Sequence, residues 1–187
     1  MEPMKKPRSE PAKTARLDAG DDVSGSGSAW VFAYGSNMDV VELRDWLAKK
    51  GHCADGILRV ERATLASYRL VWNYYSKSRD GGAANVEPCA GRDLPGLALS
   101  VDDETLKGID QKEGHPTYYS RGSSRLTVGL HDGQAIDAWV YIAVRDRCSA
   151  TLVRPRPEYL RLLVNAASEH ALPDWHIAEL VATPTVD

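Results

Sequence analysis

Four consecutive residues near the start of the chain, and one acid near its middle, have the types and spacing from which chemistry could be built. Tyr34-Gly35-Ser36-Asn37 close a run of aromatic and β-branched residues, Val31, Phe32 and Tyr34, that reads as a short buried strand. Asp39 stands three residues before Glu42, the capping-box spacing that opens a helix. A strand-to-helix turn leaves N–H groups unpaired, with the positive end of the helix behind them. That is a seat for a carboxylate or a developing oxyanion. Gly35 allows backbone angles and a close approach that a side chain would block. The same four residues also make an ordinary tight turn, because Gly, Ser and Asn are common turn formers. Spacing alone favours that plainer reading.

The acid is Glu113. A helix expected from Asp102 or Asp103 to about Lys112 carries its apolar residues at Leu106 and Ile109, and the same stripe continues to Glu113. Lys107, Asp110, Gln111 and Lys112 fall on other faces. A carboxylate aimed inward at a helix C-terminus has its pKa raised twice over, by burial and by carbonyl dipoles of its own sign. Acid–base work near neutral pH needs such a group. The alternative is that the helix ends by Lys112 and Glu113 points to water, as most glutamates do.

These residues need a scaffold, and the chain supplies its pieces in order. After the first strand, a helix over 40–50 shows Val40, Leu43 and Leu47 on one face and Gly51 as its C-terminal cap. Residues 57–65 and 68–75 read as strands, 76–82 as a loop, 83–86 as a short strand, 88–95 as a loop and 96–101 as a strand covered on both faces. Residues 118–130 and 134–144 read as two strands joined at His131-Asp132-Gly133, a hairpin signal. A loop over 145–156 leads to Pro157, which starts a helix bearing Tyr159, Leu162, Leu163, Ala166 and Ala167. Pro173-Asp174 starts a short last helix. Strands outnumber helices and mostly follow one another. This points to an α+β fold built on a closed or nearly closed sheet with helices packed outside.

The chain has 187 residues and a net charge of −3, which suits one domain and gives no basic footprint for nucleic acid or membrane. It holds no run of 18 apolar residues and no apolar leader after Lys5, Lys6 and Arg8, so the expected location is cytoplasmic. Three cysteines and five histidines fall in no metal-binding spacing and no disulfide framework, so the expectation is no metal and no cofactor. Residues 1–28 are rich in Lys, Pro, Ser and Gly and are expected to form a disordered tail ahead of a domain over 29–187.

Taken together, Val-Phe-Ala-Tyr-Gly-Ser-Asn-Met at 31–38, Gly-Gly-Ala-Ala-Asn at 81–85, Ile-Asp-Gln-Lys-Glu-Gly at 109–114 and the Pro-rich approach to Tyr159 resemble the γ-glutamylcyclotransferase family, of the AIG2-like fold. The resemblance runs from Trp30 to about Trp175. It implies a small mixed β-barrel with a cavity at one end, and Glu113 as general acid/base. Tyr34, Gly35, Ser36, Asn37 and Met38 would hold the γ-glutamyl group, with Met38 standing where Leu is more usual. Tyr119 would be the active-site tyrosine, and Tyr118 is its rival. His115-Pro116-Thr117 departs from the members of glutathione metabolism. The implied activity turns a γ-glutamyl amino acid or amine into 5-oxoproline plus the free amine, by attack of the substrate's own α-amine. Removal of a γ-glutamyl protecting group, or ligand binding without catalysis, are the alternatives. The expected partner is this small molecule, with no nucleic acid or membrane, in a monomer or homodimer.

Overall fold

The computed structural model describes residues 27–186. Nearly all of the tail expected over 1–28 lies outside them, and Ser28 is already the first residue of strand β1 (Ser28–Ala33), paired with Asp102. Helix α1 (Val40–Lys49) follows, then strand β2 (Ile57–Ser76), strand β3 (Gly81–Asp102) and helix α2 (Asp103–Glu113). Strands β4 (Tyr119–Ser120), β5 (Leu126–Leu130), β6 (Ala135–Val140) and β7 (Ile142–Ala143) come next, ahead of helices α3 (Pro157–Glu169) and α4 (Asp174–Val181).

Five strands close into a barrel in the order β1-β3-β2-β5-β6, while β4 and β7 form a separate pair. Every barrel pairing is antiparallel except β1 with β6, where Trp30 to Phe32 run parallel to Ala138 to Val140. The expected small mixed barrel with helices outside is what the chain forms. Val31, Phe32, Leu97, Leu99, Val101, Val128 and Ala138 are buried along its strands. Burying each large apolar side chain contributes roughly 1.5–3 kcal/mol.

Two differences from the sequence reading have physical causes. The segments expected as four strands over 57–101 are two long ones in a single hairpin, kinked where the register shifts near Ser67 and again before Tyr74. Pro88 and Pro95, expected in a loop, lie within β3 opposite Tyr68 and Thr64. β1 pairs with β3 only from Leu97 onward, so both prolines sit where one edge of β3 is free, the setting in which a strand tolerates a missing N–H. The strands expected over 118–130 and 134–144 are each cut in two. Gly122 takes a positive φ of 67° after β4, and the chain breaks at Tyr141 after β6. β4 and β7 thereby leave the barrel wall and pair with each other at one end of it.

Three elements deliver side chains to that end. β1 stops at Ala33, and a 3-10 turn, Ser36–Met38, carries the chain to α1, whose N-cap Asp39 accepts from Glu42 N at 2.9 Å. α2 begins at Asp102, which accepts from Thr105 N at 2.7 Å, packs on β1 and β3, and runs one residue beyond Lys112 to Glu113. Gly114 then takes the left-handed conformation, φ 62°, and His115 N donates to Asp110 O at 2.9 Å to end the helix.

Candidate active site

The end of β1, the end of α2 and the β2–β3 turn surround a cavity of about 720 Å³. Tyr34, Gly35, Ser36, Asn37, Glu113 and Tyr119 all line it. Two stretches about eighty residues apart in sequence thus meet in one hollow. Asn37 Nδ2 donates to Glu113 Oε1 at 2.8 Å, which fixes the turn to the acid directly. Met38 is placed otherwise: it is fully buried in the core beneath the turn and does not line the cavity.

Burial raises the pKa of Glu113, while Lys112, the hydrogen bond from Asn37 and Arg79 pull it back down, so the carboxyl ends above its ordinary range. Glu113 is thus half-buried at the end of α2, with its carboxyl shifted upward. Lys112 differs from expectation. It does not face away: its Nζ donates to Asn37 Oδ1 at 2.8 Å and reaches Ser36 Oγ at 3.4 Å. Burial lowers the Lys112 pKa, and Glu113 and Glu42 hold it up. Asp110 does not face open water either. It accepts from Arg121 at 2.8 Å and from the Tyr141 hydroxyl at 2.6 Å, and these bonds outweigh burial to leave its carboxyl below the ordinary range.

Gly35 has φ −124°, so its value is space and not a left-handed backbone. A Cβ there would stand 3.4 Å from Tyr159 Oη and 3.5 Å from Ala84 Cβ, on the cavity floor. That floor is tied together through Ala84. Its carbonyl accepts from Tyr119 Oη at 2.8 Å, and its N–H donates to Tyr159 Oη at 3.3 Å. Tyr34 Oη donates to Tyr141 O at 2.5 Å, joining the end of β1 to the link between β6 and β7. Burial holds the phenols of Tyr34, Tyr119 and Tyr159 above their ordinary pKa, so all three stay neutral. Tyr118 also lines the cavity but is 47% exposed, with the Arg147 guanidinium 4.6 Å over its ring.

Residues that sequence reading passed over complete the wall. Arg79 stacks 4.0 Å over the Tyr159 ring, Glu42 and Trp46 come from α1, and Asp146 and Arg147 from the segment after β7. Only Tyr159 had a signal in sequence, through its Pro-rich approach. Arg79 sits in a hairpin turn whose aim nothing local reveals. Among the described residues, no cluster of three or more His, Cys, Asp or Glu gathers as a metal site, and no helix is long and apolar enough to cross a membrane.

Chemically, the cavity holds the Glu113 carboxyl, shifted above its ordinary range, beside the Tyr34–Asn37 turn. Among the described residues the Ser36 and Asn37 N–H groups donate to no backbone carbonyl.

A family model described as Gamma-glutamyl cyclotransferase, AIG2-like matches residues 31–161. Over 48 residues the chain is 46% identical to a protein of Methanocaldococcus jannaschii provisionally named a gamma-glutamylcyclotransferase. The match spans 26% of this chain and 38% of that relative. A solved structure named Gamma-glutamyl cyclotransferase superposes with TM-score 0.68 at 21% identity, covering 86% of this chain and 90% of the other. A Homo sapiens protein described as uncharacterized superposes equally well, at 22% identity over the same shares. A yeast gamma-glutamyl cyclotransferase described as specific to glutathione gives TM-score 0.54 at 14% identity, covering 84% and 95%. At these identities the solved structures speak to the fold.

Proposed function

The chain belongs to the γ-glutamyl cyclotransferase, AIG2-like family, and from that premise we propose that it cyclises a γ-glutamyl amino acid or amine to 5-oxoproline and releases the free amine. The observation that carries this reading is the hydrogen bond from Asn37 to Glu113, which holds a proton-transfer group beside the Tyr34–Asn37 turn inside one cavity.

The substrate's α-nitrogen attacks its own γ-carbonyl carbon. The new C–N bond closes a five-membered ring, and the C–N bond to the leaving amine breaks. Because both reacting groups belong to one molecule, holding them in attack geometry gives an effective molarity on the order of 10⁵ M or more. The remaining work is proton transfer. The α-ammonium loses two protons on the way to the ring amide, and the leaving nitrogen gains two to depart as an ammonium. Glu113 carries them one at a time and ends as it began, so a pKa above the ordinary carboxylate range matches both halves of its task. Ser36, Asn37 and the turn N–H groups bind the α-carboxylate or the developing oxyanion. Gly35 leaves room for the glutamyl chain over Ala84 and Tyr159. Tyr119 braces the floor through Ala84 O.

The test is to incubate purified protein with γ-glutamyl-alanine, glutathione and γ-glutamyl-lysine and to identify products by mass. 5-Oxoproline from at least one of them is expected. Free glutamate in its place would show hydrolysis by water and overturn the ring closure. Calorimetric binding with no product would make the protein a γ-glutamyl receptor.

A further inference from the structure

Lys112 enters the cavity although it precedes Glu113 by one residue and so leaves α2 about a quarter-turn away from it. Both side chains nevertheless converge on one amide. Asn37 Oδ1 accepts from Lys112 Nζ at 2.8 Å, and Asn37 Nδ2 donates to Glu113 Oε1 at 2.8 Å. Turned over, that amide would set its NH₂ against an ammonium and its oxygen against a carboxylate, so the observed orientation is the one both charges select. The two charges do not weigh equally during turnover. When Glu113 takes a proton it stops demanding a donor from Asn37, and a protonated carboxyl could donate to Oδ1 instead. Lys112 keeps Oδ1 occupied. Among the described residues Glu113 Oε2 has no hydrogen-bond partner.

Building on the cyclisation reading above, we propose that Lys112 is a positioning residue whose ammonium locks the Asn37 amide toward Glu113 in both protonation states, so that the travelling proton is carried on Oε2. A proton on Oε1 would collide with Asn37 Nδ2. A proton donated to Asn37 would be withheld from the leaving nitrogen. With the amide locked, neither occurs.

The charges facing Glu113 come from several elements. Arg79 acts on it through space from the β2–β3 turn, and Glu42 and Asp39 hold up the Lys112 charge. Tyr34, Tyr74, Tyr119, Tyr141 and Tyr159 surround it as phenols that burial keeps neutral. Lys112 is a larger influence on Glu113 than Arg79, so removing its charge moves the acid limb of the pH profile upward.

The experiment compares Lys112→Met, Lys112→Gln and Lys112→Arg on the full chain, with circular dichroism to establish folding. Lys112→Met should lose about tenfold or more in kcat with KM little changed, and its acid limb should move to higher pH. Lys112→Gln keeps a donor for Asn37 Oδ1 but no charge. It should recover much of kcat at the plateau while keeping the displaced limb. Lys112→Arg should restore both. Kinetics of Lys112→Met matching those of wild type, with the limb unmoved, overturn the proposal. If Lys112→Met does not fold, equal limbs for Lys112→Gln and Lys112→Arg overturn it. The side-chain amide signals of Asn37, followed by NMR through the Glu113 titration, give a readout independent of turnover. One set of signals at low pH is expected in wild type and in Lys112→Gln, and exchange between two sets in Lys112→Met. Two sets in wild type overturn the lock. Absence of 5-oxoproline from wild type, with the Asn37 signals behaving as expected, counts against the cyclisation reading and leaves the lock standing.

Discussion

Glu113→Gln should cost the protein its turnover and raise its stability at neutral pH, and the two effects follow from one feature. A glutamine side chain is nearly isosteric, and its Oε1 can still accept from Asn37 Nδ2 across 2.8 Å, so the site keeps its shape. What disappears is proton transfer, worth roughly 10²–10⁴ in rate, or about 2.7–5.5 kcal/mol of transition-state stabilisation. The stability effect has the opposite sign. Burial raises the Glu113 pKa in the fold even with Lys112, Asn37 and Arg79 acting against it. Between the ordinary carboxylate range and that raised value, the folded protein binds more protons than the unfolded chain. Wild-type stability therefore falls as pH rises through this window and stays lower above it. Glutamine, neutral at every pH, avoids this loss. Melting curves of both proteins from about pH 4 to pH 8, alongside 5-oxoproline assays, measure the two effects together. The variant should match wild type at the acid end and exceed it at neutral pH. A variant that turns over within tenfold of wild type, or melts lower at pH 8 than at pH 5 by as much as wild type does, would refute the reasoning.

Four further variants probe the frame. Gly35→Ala meets no backbone conflict at φ −124°, so it should melt like wild type, but its methyl group on the cavity floor should raise KM for γ-glutamyl-alanine by about tenfold or more. Tyr119→Phe removes the donor to Ala84 O and should cost about 1 kcal/mol in denaturant unfolding with a smaller kcat loss than Glu113→Gln. Tyr118→Phe, at a ring 47% exposed, should change neither. Gly82→Ala would set a Cβ 1.9 Å from Val153 O and push against the contact in which Gly82 N donates to Arg154 O at 2.8 Å. Its unfolding midpoint should drop by the equivalent of about 1–3 kcal/mol.

The parts of the fold legible in the sequence were those decided locally. Asp39 and Asp102 as helix caps, Gly114 as a C-terminal stop, Pro157 at the start of α3 and Gly133 in a hairpin are each set by a few neighbouring residues, and each stands where the pattern places it. The continuity of strands was less legible, because it depends on partners. Pro88 and Pro95 read as loop residues in isolation. They belong to a strand because β2 runs alongside them and no other strand needs their missing N–H groups. Conversely, Tyr118 to Leu130 has the composition of one strand, but β4 pairs with β7 and β5 with β2, and the two pairings pull the segment apart at Gly122. Composition records how well a residue suits a sheet, and says nothing of which neighbour it will find.

The same division runs through the site. Helical phase correctly aims Glu113 inward because Ile109, one turn earlier, is fully buried. Phase misplaces Lys112, because a helical wheel describes where a side chain leaves the backbone and a lysine travels four methylenes further before its charge arrives. At mid-helix that length would carry the ammonium to water. At the last turn of α2 the Ser36–Met38 turn lies alongside, and the nearest polar partner is Asn37 Oδ1 inside the cavity. Desolvating that ammonium is unfavourable, and so is desolvating the carboxylate beside it; burial pushes the pKa of the first down and of the second up. A leucine and a methionine could fill the same space without either cost. Two opposed charges sharing one amide beside a hollow of about 720 Å³ fit the proton-transfer site proposed above. The residue hardest to place from sequence is thus the one whose side chain ties the turn to the end of α2, as the proposed proton-transfer role needs.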